Sequence, residues 1–121
     1  MSDVTPILDR EIFDELLSLQ ARRNPRLVAS LVDRFEEDGA TQLGALRAAA
    51  SAAATEEVHR LAHAVKGWSA TLGALEVVAL CREIEAACHS GATAGLALLI
   101  GRLELAHARA LEALRRASNE G

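Results

Sequence analysis

The sequence predicts an all-α protein: an antiparallel up-down-up-down four-helix bundle with an additional short N-terminal helix. Three observations carry that expectation. The chain is rich in alanine and leucine but holds no tyrosine, two phenylalanines, one tryptophan and two prolines, which favours helices and leaves little material for strands. Its apolar residues recur at three- and four-residue spacing along most of its length. Finally, Asn24-Pro25, Gly73 and Ser90-Gly91 punctuate the periodic stretches where helices should begin or end. With 121 residues, half of them hydrophobic and a quarter charged, the chain suits one soluble globular domain over 1–121.

An accessory helix is expected within about residues 8–20, with Asp9 as its cap and an apolar stripe of Ile12, Phe13, Leu16 and Leu17. That stripe reads as packing, and its exposed edge is a candidate part of a docking patch. The bundle should span about residues 25–117. Asn24 as cap and Pro25 in the first turn start a long helix through Val28, Leu31, Val32, Phe35, Leu43 and Leu46, locally weakened by Gly39 and Gly44. The alanine-rich stretch 48–54 turns into the next helix without marking the break. Thr55 is the expected cap of that helix, with Glu56 and Glu57 complementing its dipole. Gly73 breaks it, and a fourth helix turns Leu75, Val78, Cys81, Ile84 and Cys88 inward until Ser90-Gly91. The last helix runs from about Thr93 to Ala117 through Leu96, Leu99, Leu103, Ala106, Ala110 and Leu114, then fades into the polar tail 118–121. Short connections make these helices antiparallel neighbours, with the first laid over one end.

Composition also excludes functions. A net charge of −4 argues against a general nucleic-acid binder, and of thirteen lysines and arginines only Lys66 is a lysine. The apolar run from Leu96 to Ile100 is too short to span a bilayer, and no secretion signal opens the chain, so the expectation is a cytoplasmic protein without a membrane partner. Monomer is the default. Cys81 and Cys88, seven residues apart on one helix, suit neither a disulfide nor a metal or redox pair and read as core thiols.

The chemistry concentrates on Leu61-Ala62-His63-Ala64-Val65-Lys66-Gly67-Trp68-Ser69. At about 100° per residue, Val58, Leu61, Ala62, Val65, Ser69 and Leu72 share one arc, and His63 points roughly 160° from its centre. That histidine is displayed to solvent. Gly67 and Ala70 lie on the same strip one and nearly two turns above it, leaving a bare approach for another macromolecule, and His59 lies one turn below. Lys66, one turn from His63, can neutralise an anion held by the imidazole. Trp68 falls about 60° from the core centre, along the bundle's flank and away from His63. Ser69, near the core face, is expected to bond back to the carbonyl one turn earlier.

If the chain folds back at Gly73-Ala74, His63 and Glu85 stand equally far from the turn, each roughly 16 Å away. Glu85 then becomes a candidate partner, although it could instead pair with Arg82 or water. A carboxylate accepting from Nδ1–H would fix the tautomer and leave the Nε2 lone pair outward as a nucleophile.

The spacing of His63, Lys66, Gly67, Ser69 and Gly73 resembles the signature of the histidine-containing phosphotransfer (HPt) domain of two-component phosphorelays. The resemblance extends to Phe35, Leu43 and Leu46, and to Cys81-Arg82-Glu83-Ile84-Glu85. It implies a free-standing phosphocarrier whose His63 accepts a phosphoryl group from a receiver-domain aspartate or a sensor or hybrid histidine kinase and passes it to a response-regulator aspartate. By the same resemblance Lys66 helps hold the phosphoryl group, Gly67 makes room for the receiver, and Glu85 orients the ring. The chain itself would bind no cofactor and would not be an enzyme, since the receiver supplies Mg²⁺ and the acidic pocket. Trp68 departs from the pattern, which usually has a small residue there. Two other readings remain: a helical adaptor that binds a receiver or kinase without phosphate turnover, and a metal-binding bundle built on His59 and His63 with His89 or His107. The zinc-protease form is excluded, because Arg60 occupies the position its glutamate would need.

Overall fold

The structure, a computed structural model, describes residues 5–120. Five helices run in order: α1 (Arg10–Arg23), α2 (Leu27–Ser51), α3 (Thr55–Thr71), α4 (Leu75–Ser90) and α5 (Leu96–Glu120), with a 3₁₀ turn at Thr93–Gly95 before the last. Packing of α2 on α3, α3 on α4, α4 on α5 and α5 back on α2 closes the predicted bundle, and α1 rests on α2. No described helix is long and apolar enough to cross a membrane.

The N-terminal segment is stitched to the α3–α4 turn. Gly73 has φ +72°, and its carbonyl accepts from Asp9 N at 2.8 Å, while Leu75 N donates to Ile7 O at 3.0 Å. A Cβ on Gly73 would lie 3.1 Å from Asp9 O and 3.3 Å from Ile12 Cβ. Only glycine suits both the left-handed conformation and the close approach of α1. Asp9 caps α1 as expected, its carboxylate accepting from Glu11 N at 3.0 Å and Ile12 N at 3.3 Å. The helix outruns its expected end at Gln20 by three residues, and Arg22 and Arg23 in the last turn suit its dipole.

Several expected boundaries move for local reasons. Asn24 does not cap α2. It closes α1 through its own N–H to Gln20 O, and its side chain holds Arg26 N at 2.9 Å. The start of α2 is served instead by Gln20, whose Oε1 accepts from Val28 N at 3.0 Å. Thr55 is not a cap either; it is the first residue of α3, and Ala54 precedes it without a side-chain bond. The unmarked break after α2 is made by Ala53 in the left-handed region (φ 55°), with Ala54 N bonding back to Ala49 O at 2.9 Å. Gly91 at φ +80° ends α4 as expected. The α5 helix begins at Leu96, not Thr93, and continues past Ala117 to Glu120, with Ser118 Oγ donating to Leu114 O at 2.7 Å. Of the expected polar tail, Gly121 lies outside the described residues.

Phe13, Val28, Val32, Phe35, Leu46, Val58, Val65, Val77, Ile84, Ile100, Leu103 and Leu114 form the fully buried core. Leu31, Leu75, Cys88 and Leu99, expected inside, are half-buried at its margin, while Val77, Leu80 and Ile100 join it. Nor does Gly39 weaken α2: the helix passes through it unbroken, and a Cβ there would lie 2.0 Å from His107 Nε2. The glycine is a socket for a buried imidazole from α5.

Candidate functional site

His63 sits mid-way along α3 with its side chain 68% exposed, as the helical periodicity requires. The α3–α4 hairpin brings Glu85 to the same height. Its Oε2 lies 2.9 Å from His63 Nδ1, and Lys66 Nζ meets Oε1 at 2.7 Å as an ion pair lying off hydrogen-bond alignment. His59 Nε2 stands 4.0 Å from the same Oε2 that His63 engages. One carboxylate therefore gathers Lys66, His63 and, more loosely, His59. Arg82 makes no ion pair with Glu85 among the described residues.

Glu85 is itself only 13% exposed. Burial pushes its carboxyl up, but contact with Lys66 and His63 and their charges outweigh that cost and hold it below its ordinary value. An ionised carboxylate can only accept, so the proton on His63 lies on Nδ1 and the Nε2 lone pair faces away from Glu85. One turn before Glu85, the Cys81 thiol is pushed up to about 12, first by burial, then by the Glu85 charge, with Lys66 opposing. Burial and Glu85 also raise Cys88. Both cysteines are free, and neither is poised as a nucleophile.

Above His63 the strip is bare: a Cβ on Gly67 would meet nothing within 4 Å, and Ala70 is exposed. The fold does not need that glycine for space. Trp68 lies on the flank, its indole N–H donating to Gln42 Oε1 at 2.8 Å and its ring edge-on to Phe35 at 5.3 Å. Phe35 stacks in turn on His107 at 4.3 Å, and His107 Nε2 donates to Phe35 O at 2.9 Å. Leu31, Phe35, Trp68 and Leu72 wall an apolar groove of about 290 Å³ beside this aromatic set.

Sequence reasoning missed Gln42, and it named His107 only as a possible metal ligand, not as a ring packed on Phe35. The available signals were a glycine in the middle of a long helix and a histidine at helical spacing among the buried alanines and leucines of α5. Ser69 corrects an expectation: it is buried, yet its hydroxyl makes no hydrogen bond among the described residues. Its carbonyl, not its side chain, closes the helix, accepting from Leu72 N and Ala74 N. The metal-binding reading also loses a ligand, because His107 is committed to Phe35 O; no group of three or more candidate ligands converges among the described residues.

Comparison with known proteins agrees with this fold. A family model described as Hpt domain matches residues 30–117. No curated protein is significantly similar to the chain. Among solved structures, the histidine-containing phosphotransfer protein B (HptB) of Pseudomonas aeruginosa PAO1 is 27% identical, with a TM-score of 0.82 over 96% of this chain and 97% of that one. MtHPt2 of Medicago truncatula is 24% identical, with a TM-score of 0.78 over 94% and 80% of the two chains. ZmHP2 of maize is 22% identical, with a TM-score of 0.76 over 92% and 86%. The two plant structures, below a quarter identity, speak for the fold alone.

Proposed function

This chain belongs to the Hpt domain family, and from that premise we propose that His63 is its phosphoryl-accepting residue, charged by a receiver-domain aspartate or a histidine kinase and discharged onto a response-regulator aspartate. The coarse role, phosphoryl carriage in a phosphorelay, comes with the family. The observation that carries the assignment is the 2.9 Å contact between His63 Nδ1 and an ionised carboxylate on a ring otherwise open to solvent.

With Nδ1–H donated to Glu85, Nε2 attacks the phosphorus of an aspartyl phosphate in line. The N–P bond forms as the P–O bond to the aspartate breaks, and the aspartate leaves as carboxylate. The loose transition state spreads charge over the phosphoryl oxygens. Glu85 stabilises the ring as it becomes cationic, and Lys66, one turn along the same face, can leave Oε1 to meet the incoming dianion. The acidic pocket and Mg²⁺ of this reaction are assigned to the receiver. Gly67 and Ala70 clear the approach, and the groove at Trp68 offers apolar surface to a partner settled over the strip. A cytoplasmic setting follows from the partners of this reading.

The test is incubation with a phosphorylated receiver and Mg²⁺. Acid-labile, alkali-stable label on the protein, absent from a His63→Gln variant, is the expected result. Binding without label would favour the adaptor.

A further inference from the structure

Glu85 holds one negative charge among three groups able to carry a positive one. Lys66 Nζ is 2.7 Å from one oxygen, while His63 Nδ1 at 2.9 Å and His59 Nε2 at 4.0 Å face the other. At 13% exposure Glu85 depends on positive charge beside it, and the phosphorylated imidazolium, whose own charge is outweighed by the phosphoryl group it carries, replaces Lys66 only in part. His59 stands just beyond hydrogen-bond distance, and its side chain, 46% exposed, has room to move. A phosphoryl group on His63 Nε2 brings roughly two negative charges and competes with Glu85 for the single lysine.

Resting on the phosphocarrier reading, we propose that His59 is a positioning residue that takes Lys66's place at Glu85 when His63 is phosphorylated, gaining a proton from solvent as it does so. Glu85 then keeps both a charge partner and its hold on His63 Nδ1–H, and the phosphoryl group keeps the lysine. The linkage has a definite sign. The phosphorylated protein binds an extra proton at His59, so acidification favours phosphorylation. The other charged and titratable groups on this flank are Glu56 and Arg60 on α3, with Arg60 held by Glu57, and Cys88 and His89 on α4. On the opposite flank α2 meets Trp68 through Gln42; Trp68 lies nine residues from His59 and so about half a revolution round α3.

Phosphoramidate serves as the probe, with no partner protein. His63 Nε2 attacks its phosphorus, the P–N bond to ammonia breaks, ammonia leaves, and Nδ1 keeps its proton. At fixed phosphoramidate and ammonia, phosphorus NMR gives the phosphorylation equilibrium for wild type and His59→Gln between about pH 8.5 and about pH 6. The wild-type-to-variant ratio is expected to rise about threefold or more on acidification. In a Lys66→Gln background no cation leaves Glu85 on phosphorylation, so the ratio should stay flat. A rise that persists there would mean that His59 bonds the phosphoryl group directly, and would overturn the positioning role. A flat ratio with Lys66 present overturns the inference and leaves the carrier intact, whereas absence of phosphohistidine at His63 at every pH overturns the carrier reading itself.

Discussion

His63 and His107 carry the same side chain into opposite surroundings. His63 stands open on α3 with Nδ1 committed to Glu85, whereas His107 is buried on α5, stacked on Phe35 with Nε2 committed to a backbone carbonyl. Each ring has one nitrogen held by an acceptor. The difference is what the rest of the ring meets: solvent in one case, an aromatic face and a helix backbone in the other. A histidine does chemistry when its second nitrogen is reachable, and it anchors packing when the ring is enclosed. A glycine accompanies each ring, Gly39 making room for His107 inside the bundle and Gly67 keeping the surface beside His63 clear.

The largest effect expected from this contrast is at Gly39. A methyl group there would sit 2.0 Å from His107 Nε2 and 2.5 Å from its Cε1, inside any allowed contact. The ring must leave its stack on Phe35 and its bond to Phe35 O. Overpacking and a lost buried hydrogen bond together predict that Gly39→Ala lowers unfolding free energy by about 3 kcal/mol in urea titration, despite alanine's better helix propensity. A variant as stable as wild type would show that α2 and α5 do not lock through this ring.

The contrast was legible in the sequence on one side only. His63, Lys66 and Gly67 announce themselves because exposure follows from helical phase, and Glu85 follows from equal distance to the Gly73 turn. Phase is a local property. The socket at Gly39 needs knowledge of which helix lies opposite, so the glycine reads as a weak point when it is a packing device. The same limit explains the ends. Asn24 and Thr55 have capping chemistry, yet Gln20 from the preceding helix reaches Val28 N first, and a left-handed Ala53 makes the break that no turn residue marks. Ser69 shows the converse: i−4 back-bonding is available to it locally, yet its buried hydroxyl makes no hydrogen bond among the described residues.

Next in size are effects at Glu85, which separate holding the tautomer from supplying charge. Glu85→Ala removes the acceptor at Nδ1 and should slow phosphoryl transfer about tenfold or more. Glu85→Gln keeps an oxygen that can accept and should retain most transfer. Their stabilities differ with pH. Because the folded protein holds this carboxyl below its ordinary value, near 4.5, its contribution is present above that value and fades as pH falls through the lower folded-state one. The stability gap between wild type and Glu85→Gln should therefore narrow on acidification below that range, as read by thermal melts at several pH values. A gap independent of pH would mean that Lys66 and His63 do not stabilise the charged form.

The smallest stability effect belongs to Gly67, where the cost appears in encounter with a partner. A side chain there meets nothing within 4 Å, and glutamine is a better helix former than glycine. Gly67→Gln should leave the helical signal intact and change stability by less than about 1 kcal/mol, in the stabilising direction. Transfer from a phosphorylated receiver should nevertheless fall about tenfold, because the added side chain stands on the strip the partner must cover. Phosphoramidate, small enough to pass that side chain, should still label His63 at nearly the wild-type rate. The two donors separate obstruction from damage: equal losses with both would mean that Gly67 tunes the imidazole, whereas loss with the receiver alone makes Gly67 the outward counterpart of Gly39, one glycine sized for a ring of this chain and the other for a second protein.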